Sequence, residues 1–226
     1  KCSHLKQGVN MANIQINRIK NKLKDLFNDK IYMENVTATN NSSEFEKMWY
    51  SRAYSAYSTF LLGSESVDEA ATSVTDGFDD YGIDAIFNDK NKKILYFIQT
   101  KFSNEATGSI SEGDTHKFIR GIKKIINLDF SNFNELVIKK QSEIENALSD
   151  FDYRLEIIIC VSSNQDIPSH SLEIINDFLR DTNSDGSDEM ITHRVIKLND
   201  VYDHMAHQGM NPKIDLEEVV IHNWGK

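Results

Sequence analysis

Cysteine and proline are almost missing from this chain, with two of each in 226 residues. Cys2 and Cys160 stand far apart, and Cys160 lies inside an apolar run. A disulfide scaffold is therefore excluded, and Cys160 reads as a buried thiol. Two prolines and ten glycines leave no Pro/Gly linker between halves. No run approaches the ~18 consecutive apolar residues that a membrane span needs. Residues 1–17 are polar and contain no apolar signal core, so the expectation is a cytoplasmic protein with no membrane partner. An excess of base is missing too. A net charge of −10 and a pI near 5.2 argue against coating nucleic acid by bulk charge. At 39% hydrophobic and 27% charged residues, the composition is that of a globular chain and excludes disorder as the main state. The length suits one large domain or two small ones.

The charge is unevenly spread. Residues 76–89 hold five acids (Asp76, Asp79, Asp80, Asp84, Asp89) and no base. Residues 90–124 hold eight bases against three acids, a local net of +5. Residues 173–226 hold eleven acids against five bases, a local net of −6. An acidic cluster beside a basic stretch suits a cation site next to an anionic substrate. Solvated surface charge is the plainer alternative.

Periodicity divides the chain. Residues 1–10 differ in character from the rest and read as added or linker residues ahead of Met11. Residues 11–40 form an N-terminal helical extension, with Ile16, Ile19, Leu23, Leu26 and Phe27 at helical spacing. A polar stretch over 37–43 closes it, and residues 41–226 form the main domain. A helix over 44–62 carries an apolar stripe, and Gly63 ends it. Residues 83–87 and 94–102 read as two strands joined at a turn over 88–91. Helices come next over 114–128 and 132–148, then a strand over 155–161, a helix over 169–180, a strand over 191–198 and a short helix over 200–206. Residues 219–222 offer one more strand. This order predicts an α/β fold: a mixed central sheet flanked by helices.

One constellation carries chemistry. Asp84 opens the first strand of the pair, and Gln99-Thr100-Lys101 ends the second. Alternation puts Gln99 and Lys101 on one face and turns Thr100 away. A hairpin brings Asp84 near that end. Hard divalent cations take oxygen ligands, so Asp84, Gln99 and the Thr100 carbonyl form a candidate site for Mg²⁺ or Mn²⁺. Asp80 stands as a further ligand or as a turn acid, and Asp76 and Asp79 read as turn or surface acids. Lys101 is placed to hold an attacking water or to stabilise charge at a phosphate. Lys117, Arg120 and Lys124 recur at i, i+3 and i+7, on one face of the next helix. They are either a phosphate-contacting stripe or a solvated face. Glu46 is either a helical acid reaching the cation site or the closing residue of a Ser43-x-x-Glu46 capping box, and the cap is the preferred reading. Two other features carry little. Residues 181–186 begin like an EF-hand loop, but the twelfth position is Thr192. His204 and His207 have no third ligand in view.

Gly82-Ile83-Asp84-Ala85-Ile86 followed by Gln99-Thr100-Lys101 resembles the PD-(D/E)XK nuclease signature in its QxK form, as in Mrr-like restriction endonucleases. The run from Thr75 to Asp84, then residues 94–101, is similar to the N-terminal nuclease domain of abortive infection phage resistance proteins. The similarity extends loosely through Phe118-Ile119-Arg120-Gly121-Ile122 and residues 157–164. The resemblance implies an αβββαβ core with acids and lysine at one sheet edge. Residues 71–75 make a short fit for its first strand. It further implies a metal-dependent endonuclease acting on DNA or RNA in anti-phage defence, in a protein that continues past residue 226. Asp84, Gln99 and Lys101 would be catalytic. Gln99 stands where many members have Glu, which removes a charge from the cation site. Nuclease domains that cut both strands commonly form homodimers, though no stretch here marks a dimer face. The alternative is an interaction module that kept the nuclease fold and lost the chemistry.

Overall fold

The computed structural model describes residues 2–36, 42–183 and 189–207. The strand expected over 219–222 and the centre of the EF-hand-like loop lie outside these residues, as do positions 37–41 of the polar stretch. The described chain is an α/β fold with one four-stranded mixed sheet. Its elements in chain order are α1 (Cys2–Phe27), α2 (Ser42–Leu62), α3 (Val67–Thr72), β1 (Ala85–Asp89), β2 (Ile94–Lys101), α4 (Glu112–Ile126), α5 (Glu135–Ile138), α6 (Gln141–Ser149), β3 (Arg154–Val161), α7 (Ser169–Thr182), β4 (Ile191–Ile196) and α8 (Leu198–His207). The strands lie in the order β1-β2-β3-β4, with β1 antiparallel to β2 and the other two pairs parallel. Among the described residues no helix is long and apolar enough to cross a membrane.

The sheet is buried on both faces, which explains the unbroken apolar run of β3. On one face, Ile16, Ile19, Leu23 and Phe27 of α1 join Tyr54 and Tyr57 of α2 against Phe87, Tyr96, Ile98 and Cys160. The N-terminal helix thus shares the main core. On the other, Phe118, Ile122 and Ile125 of α4 join Ile144, Ile175 and Phe178 against Leu95, Phe97, Ile157 and Ile159. Cys160 is free and buried as expected, and burial pushes its thiol up to about 12.

Two expectations need correction. Residues 71–75 do not form the first strand of an αβββαβ core. Ala71 and Thr72 close α3, whose cap is the Ser66 side chain, and the strand is reduced to a single bridge from Val74 to Ala85. The helix expected over 132–148 is two, α5 and α6, broken at Lys139 and Lys140. Helix α1 runs continuously through Met11.

Candidate metal centre at the end of strand β2

Strands β2, β3 and β4 run parallel, and the carboxyl ends of parallel strands are where open α/β sheets bind ligands. The segment over residues 75–84 reaches that end of β2. Ala85 pairs with Ile98, and the Asp84 amide donates to the Ile98 carbonyl at 2.8 Å. Asp84 is thereby carried beside Gln99 and Thr100. The Thr100 amide donates to Asp84 Oδ2 at 2.6 Å, and the Thr100 hydroxyl lies 3.2 Å from the same oxygen. Thr100 faces α2, as alternation requires, and its hydroxyl also meets Ser55 Oγ at 2.7 Å. What Thr100 brings to the cluster is its donors, which position Asp84. Its carbonyl was the group expected to act.

The turn before Asp84 is held in an unusual shape. Asp79, Tyr81 and Gly82 all have positive φ (60°, 55° and 77°), a costly conformation for the two non-glycine residues. The buried Asp80 carboxylate organises the turn. It accepts from the Gly77 amide at 3.1 Å, the Gly82 amide at 2.6 Å and Lys117 Nζ at 2.9 Å. Asn134 ties the same loop from outside, through the Asp79 and Thr75 carbonyls. These contacts over-determine the conformation and explain why the strain persists.

Carboxylate oxygens of Asp76, Asp80 and Asp84 all lie within 4.8 Å of one another. Burial raises the Asp84 carboxyl well above the usual range. The nearby Asp76 and Asp80 add to the rise, and the Thr100 amide and the Lys101 charge oppose it. Burial likewise raises Asp76, with Asp80 adding and Arg52, Lys101 and Lys117 opposing. Three clustered acids are stabilised by nearby positive charge, which Lys117 supplies to Asp80 and Arg52 to Asp76. Oxygens on opposite sides of one Mg²⁺ are ~4.2 Å apart, and of one Ca²⁺ ~4.6–5.2 Å apart. The triad has the donor chemistry and the spacing for a hard divalent ion.

Gln99 and Lys101 share the face that alternation assigned to them. Gln99 is 2% exposed, and its side-chain carbonyl has no hydrogen-bond partner, an unpaired oxygen in the buried layer beside the cluster. Its amide nitrogen sits 3.0 Å from where a Cβ on Gly82 would stand, so only glycine serves both that φ and that contact. Lys101 Nζ pairs with Asp114 Oδ2 at 3.0 Å, in the first turn of α4. Its charge still reaches Asp76 and Asp84.

Of the other expected residues, Lys117 joins the triad and Glu46 stands apart from it. Glu46 is not in the acidic triad. It pairs with Lys24 of α1 at 3.5 Å, and α2 begins at Ser42, ahead of the expected cap. Of the basic stripe, Lys117 is bound to Asp80, and Lys124 pairs with Asp129. Partial burial lowers Lys117, but the hydrogen bond to Asp80 and the charges of Asp80, Asp84 and Asp114 outweigh it and leave its pKa raised. Arg120 is exposed and has no acidic partner among the described residues. His204 caps no metal set; its Nδ1 meets the Tyr57 hydroxyl at 2.8 Å.

Two residues of the site were missed in the sequence. Asp76 reads there as a turn acid, yet it completes the triad. Arg52 is 1% exposed on α2, and its guanidinium approaches Asp76 at 3.7 Å, Asn35 Oδ1 at 2.8 Å and the Tyr32 carbonyl. A signal was present: Arg52 falls within the apolar stripe of α2, and a base on a buried face needs an acid.

Helix α4 closes over the turn through Gly121. A Cβ there would lie 2.7 Å from Tyr81 Cβ and 3.1 Å from Ile83 Cδ1. Gly121→Ala is therefore expected to push α4 off the turn and cost about 1–3 kcal/mol, the range for overpacking. Thermal melting checks this, and an unchanged midpoint would show that the contact yields without cost.

Compared with known protein families, with curated proteins and with solved structures, the chain matches none.

Proposed function

We propose that this chain is a metal-dependent nuclease that hydrolyses phosphodiester bonds of DNA or RNA. The observation that carries the reading is the partly buried triad Asp76, Asp80 and Asp84 at the carboxyl end of β2, with Lys101 on the same strand. The triad would hold Mg²⁺ or Mn²⁺, with Gln99 as a neutral oxygen donor. Bound there, such an ion supplies Lewis-acid polarisation of the phosphate and a water of lowered pKa. The chain's own residues set the rest. Thr100 fixes Asp84, Lys117 and the Gly77 and Gly82 amides fix Asp80, and Arg52 balances Asp76. Lys101 presents an ammonium toward a phosphate, released from Asp114 when substrate charge competes for it. The resemblance to PD-(D/E)XK nucleases and abortive infection phage resistance proteins supports this reading. It extends the proposal to anti-phage defence.

One observation favours a second reading, a nuclease-fold module without cleavage: Lys101 is engaged by Asp114, and Gln99 adds no charge. Incubation with single- and double-stranded DNA and RNA, in Mg²⁺ or Mn²⁺ and in EDTA, separates the two. Cation-dependent cleavage lost in Lys101→Ala supports the nuclease; no cleavage of any substrate supports the module.

Gln99→Glu is expected to tighten divalent binding. A full charge replaces a dipole beside the ion, and an opposite-charge interaction at ~4 Å is worth roughly 1–4 kcal/mol between water-like and protein-surface dielectrics. Calorimetric titration should show at least about a fivefold gain for Mn²⁺. Equal affinity for both proteins would remove Gln99 from the ligand set.

A further inference from the structure

Phe78 stands at the tip of the turn that carries Asp80, and it is 92% exposed. No ring or cation contact engages it among the described residues. Tyr81, three residues on, is fully engaged: its ring packs against Phe133 at 4.8 Å, with Arg120 and Lys124 each 5.7 Å from its centre. The two aromatics wall a cleft of about 300 Å³, with Gly77, Asp79, Lys117 and Arg120 completing it. This is the lower end of the ~300–1,000 Å³ usual for small-ligand clefts. The cleft adjoins the acidic triad directly, since Lys117 lines it and also bonds Asp80.

An apolar ring this exposed forgoes the favourable free energy of burial in the free protein. It sits on a turn that Asp80 and Asn134 hold rigid, so it is presented in a fixed place. A single ring is too small a patch for a membrane or a protein partner. Flanked by an arginine without an acidic partner, it matches a ligand with a flat face and an adjacent negative charge.

We propose that Phe78 is a stacking platform for an unpaired nucleobase whose phosphate is held by Arg120, so that the site takes single-stranded nucleic acid. The inference rests on the nuclease reading for its geometry and deepens it by naming the substrate class. Stacking on an aromatic side chain tolerates any base, and duplex DNA keeps its bases inside the helix. Lys117 contributes to the cleft but is tied to Asp80, which leaves Arg120 as its available phosphate contact.

The test is fluorescence anisotropy in Ca²⁺, with a short labelled single strand of DNA, the same strand of RNA and a blunt duplex. Wild type is expected to bind the single strands more tightly than the duplex, and the DNA and RNA arms identify which strand is preferred. Phe78→Ala should weaken single-strand binding about 5- to 150-fold, the range for loss of one stacked base. Its melting temperature should not change, because the ring makes no ring or cation contact among the described residues. Phe78→Trp should keep the affinity, and Phe78→Leu should not restore it. Arg120→Ala should lower the salt slope of single-strand binding by about 0.7, as for one phosphate contact.

Undiminished binding by Phe78→Ala overturns the proposal. So does full rescue by leucine, which would mean plain apolar contact. Displacement of the strand by an equal concentration of mononucleotide also overturns it and assigns the cleft to free nucleotide. The nuclease reading fails separately: a wild-type protein that binds strands through Phe78 and cleaves none keeps the platform and loses the enzyme.

Discussion

Replacing Asp84 with asparagine is expected to cut divalent-dependent cleavage to below about a thousandth of wild type. Without divalent cation at neutral pH, the same change should raise the melting temperature. The first effect follows from the several kcal/mol that a catalytic metal contributes, at tenfold in rate per ~1.4 kcal/mol. The second follows from the site's electrostatics. Asp84 is half-buried beside two other carboxylates, and its folded-state pKa lies well above the ~3.9 of an unfolded aspartate. The folded state therefore binds the proton more tightly. The contribution of Asp84 to metal-free stability is therefore fully present below pH ~4 and is lost as pH rises through the raised value. Asparagine keeps an oxygen to accept from the Thr100 amide and removes the charge, so it flattens that decline. Mg²⁺ or Mn²⁺ should raise the wild-type midpoint, by about 2.7 kcal/mol of stability at a hundredfold excess over Kd, and leave the variant's nearly unmoved. Calorimetric melting across pH, with and without cation, reads both effects. A variant that cleaves normally ends the catalytic role of Asp84, and one that unfolds in EDTA makes it structural.

The second large effect is on stability. Arg52→Met should cost about 3–5 kcal/mol, the usual penalty when one partner of a buried ion pair is removed. For a chain of this size that is roughly 6–20 °C in melting temperature. Arg52 is nearly inaccessible and joins α2 to the loop carrying Asn35 and to Asp76. Without it, Asp76 faces Asp80 and Asp84 with less compensation, and its raised folded-state pKa rises further above the unfolded value. The loss is thus largest at neutral pH and shrinks toward pH 4. Divalent affinity should move the other way and increase, because a competing cation has gone. A variant that melts like wild type would show that the guanidinium is not needed to balance the triad.

Much of the fold was legible because periodicity reports burial. The β-branched run of β3 fits a strand covered on both faces, and the spacing of Phe118, Ile122 and Ile125 fits a helix lying on a sheet. Segment 71–75 was misread because Ala, Thr, Ser and Val suit a strand locally, whereas the Ser66 cap and the buried Ala70 and Ala71 commit it to the end of α3. The break between α5 and α6 follows from packing that no helical pattern announces.

For the site, the sequence alone placed Asp84, Gln99 and Lys101 together, since two strands and a short turn have few ways to pair and alternation then sets the faces. It assigned Asp80 only as an alternative and discarded Asp76. The grouping of Asp76 with Asp80 and Asp84 depends on a turn with three positive-φ residues, and that turn is stable only because Lys117, Asn134 and Gly121 arrive from α4 and the α5 cap. Such contacts cross tens of residues and leave no local signature. The basic stripe shows the same division. Helical spacing put Lys117, Arg120 and Lys124 on one face, and tertiary packing then supplied Asp80 for Lys117 and seated Lys124 beside Asp129. Arg120 was left without an acid among the described residues, because charge neutralisation depends on which carboxylates the fold brings within a few ångströms.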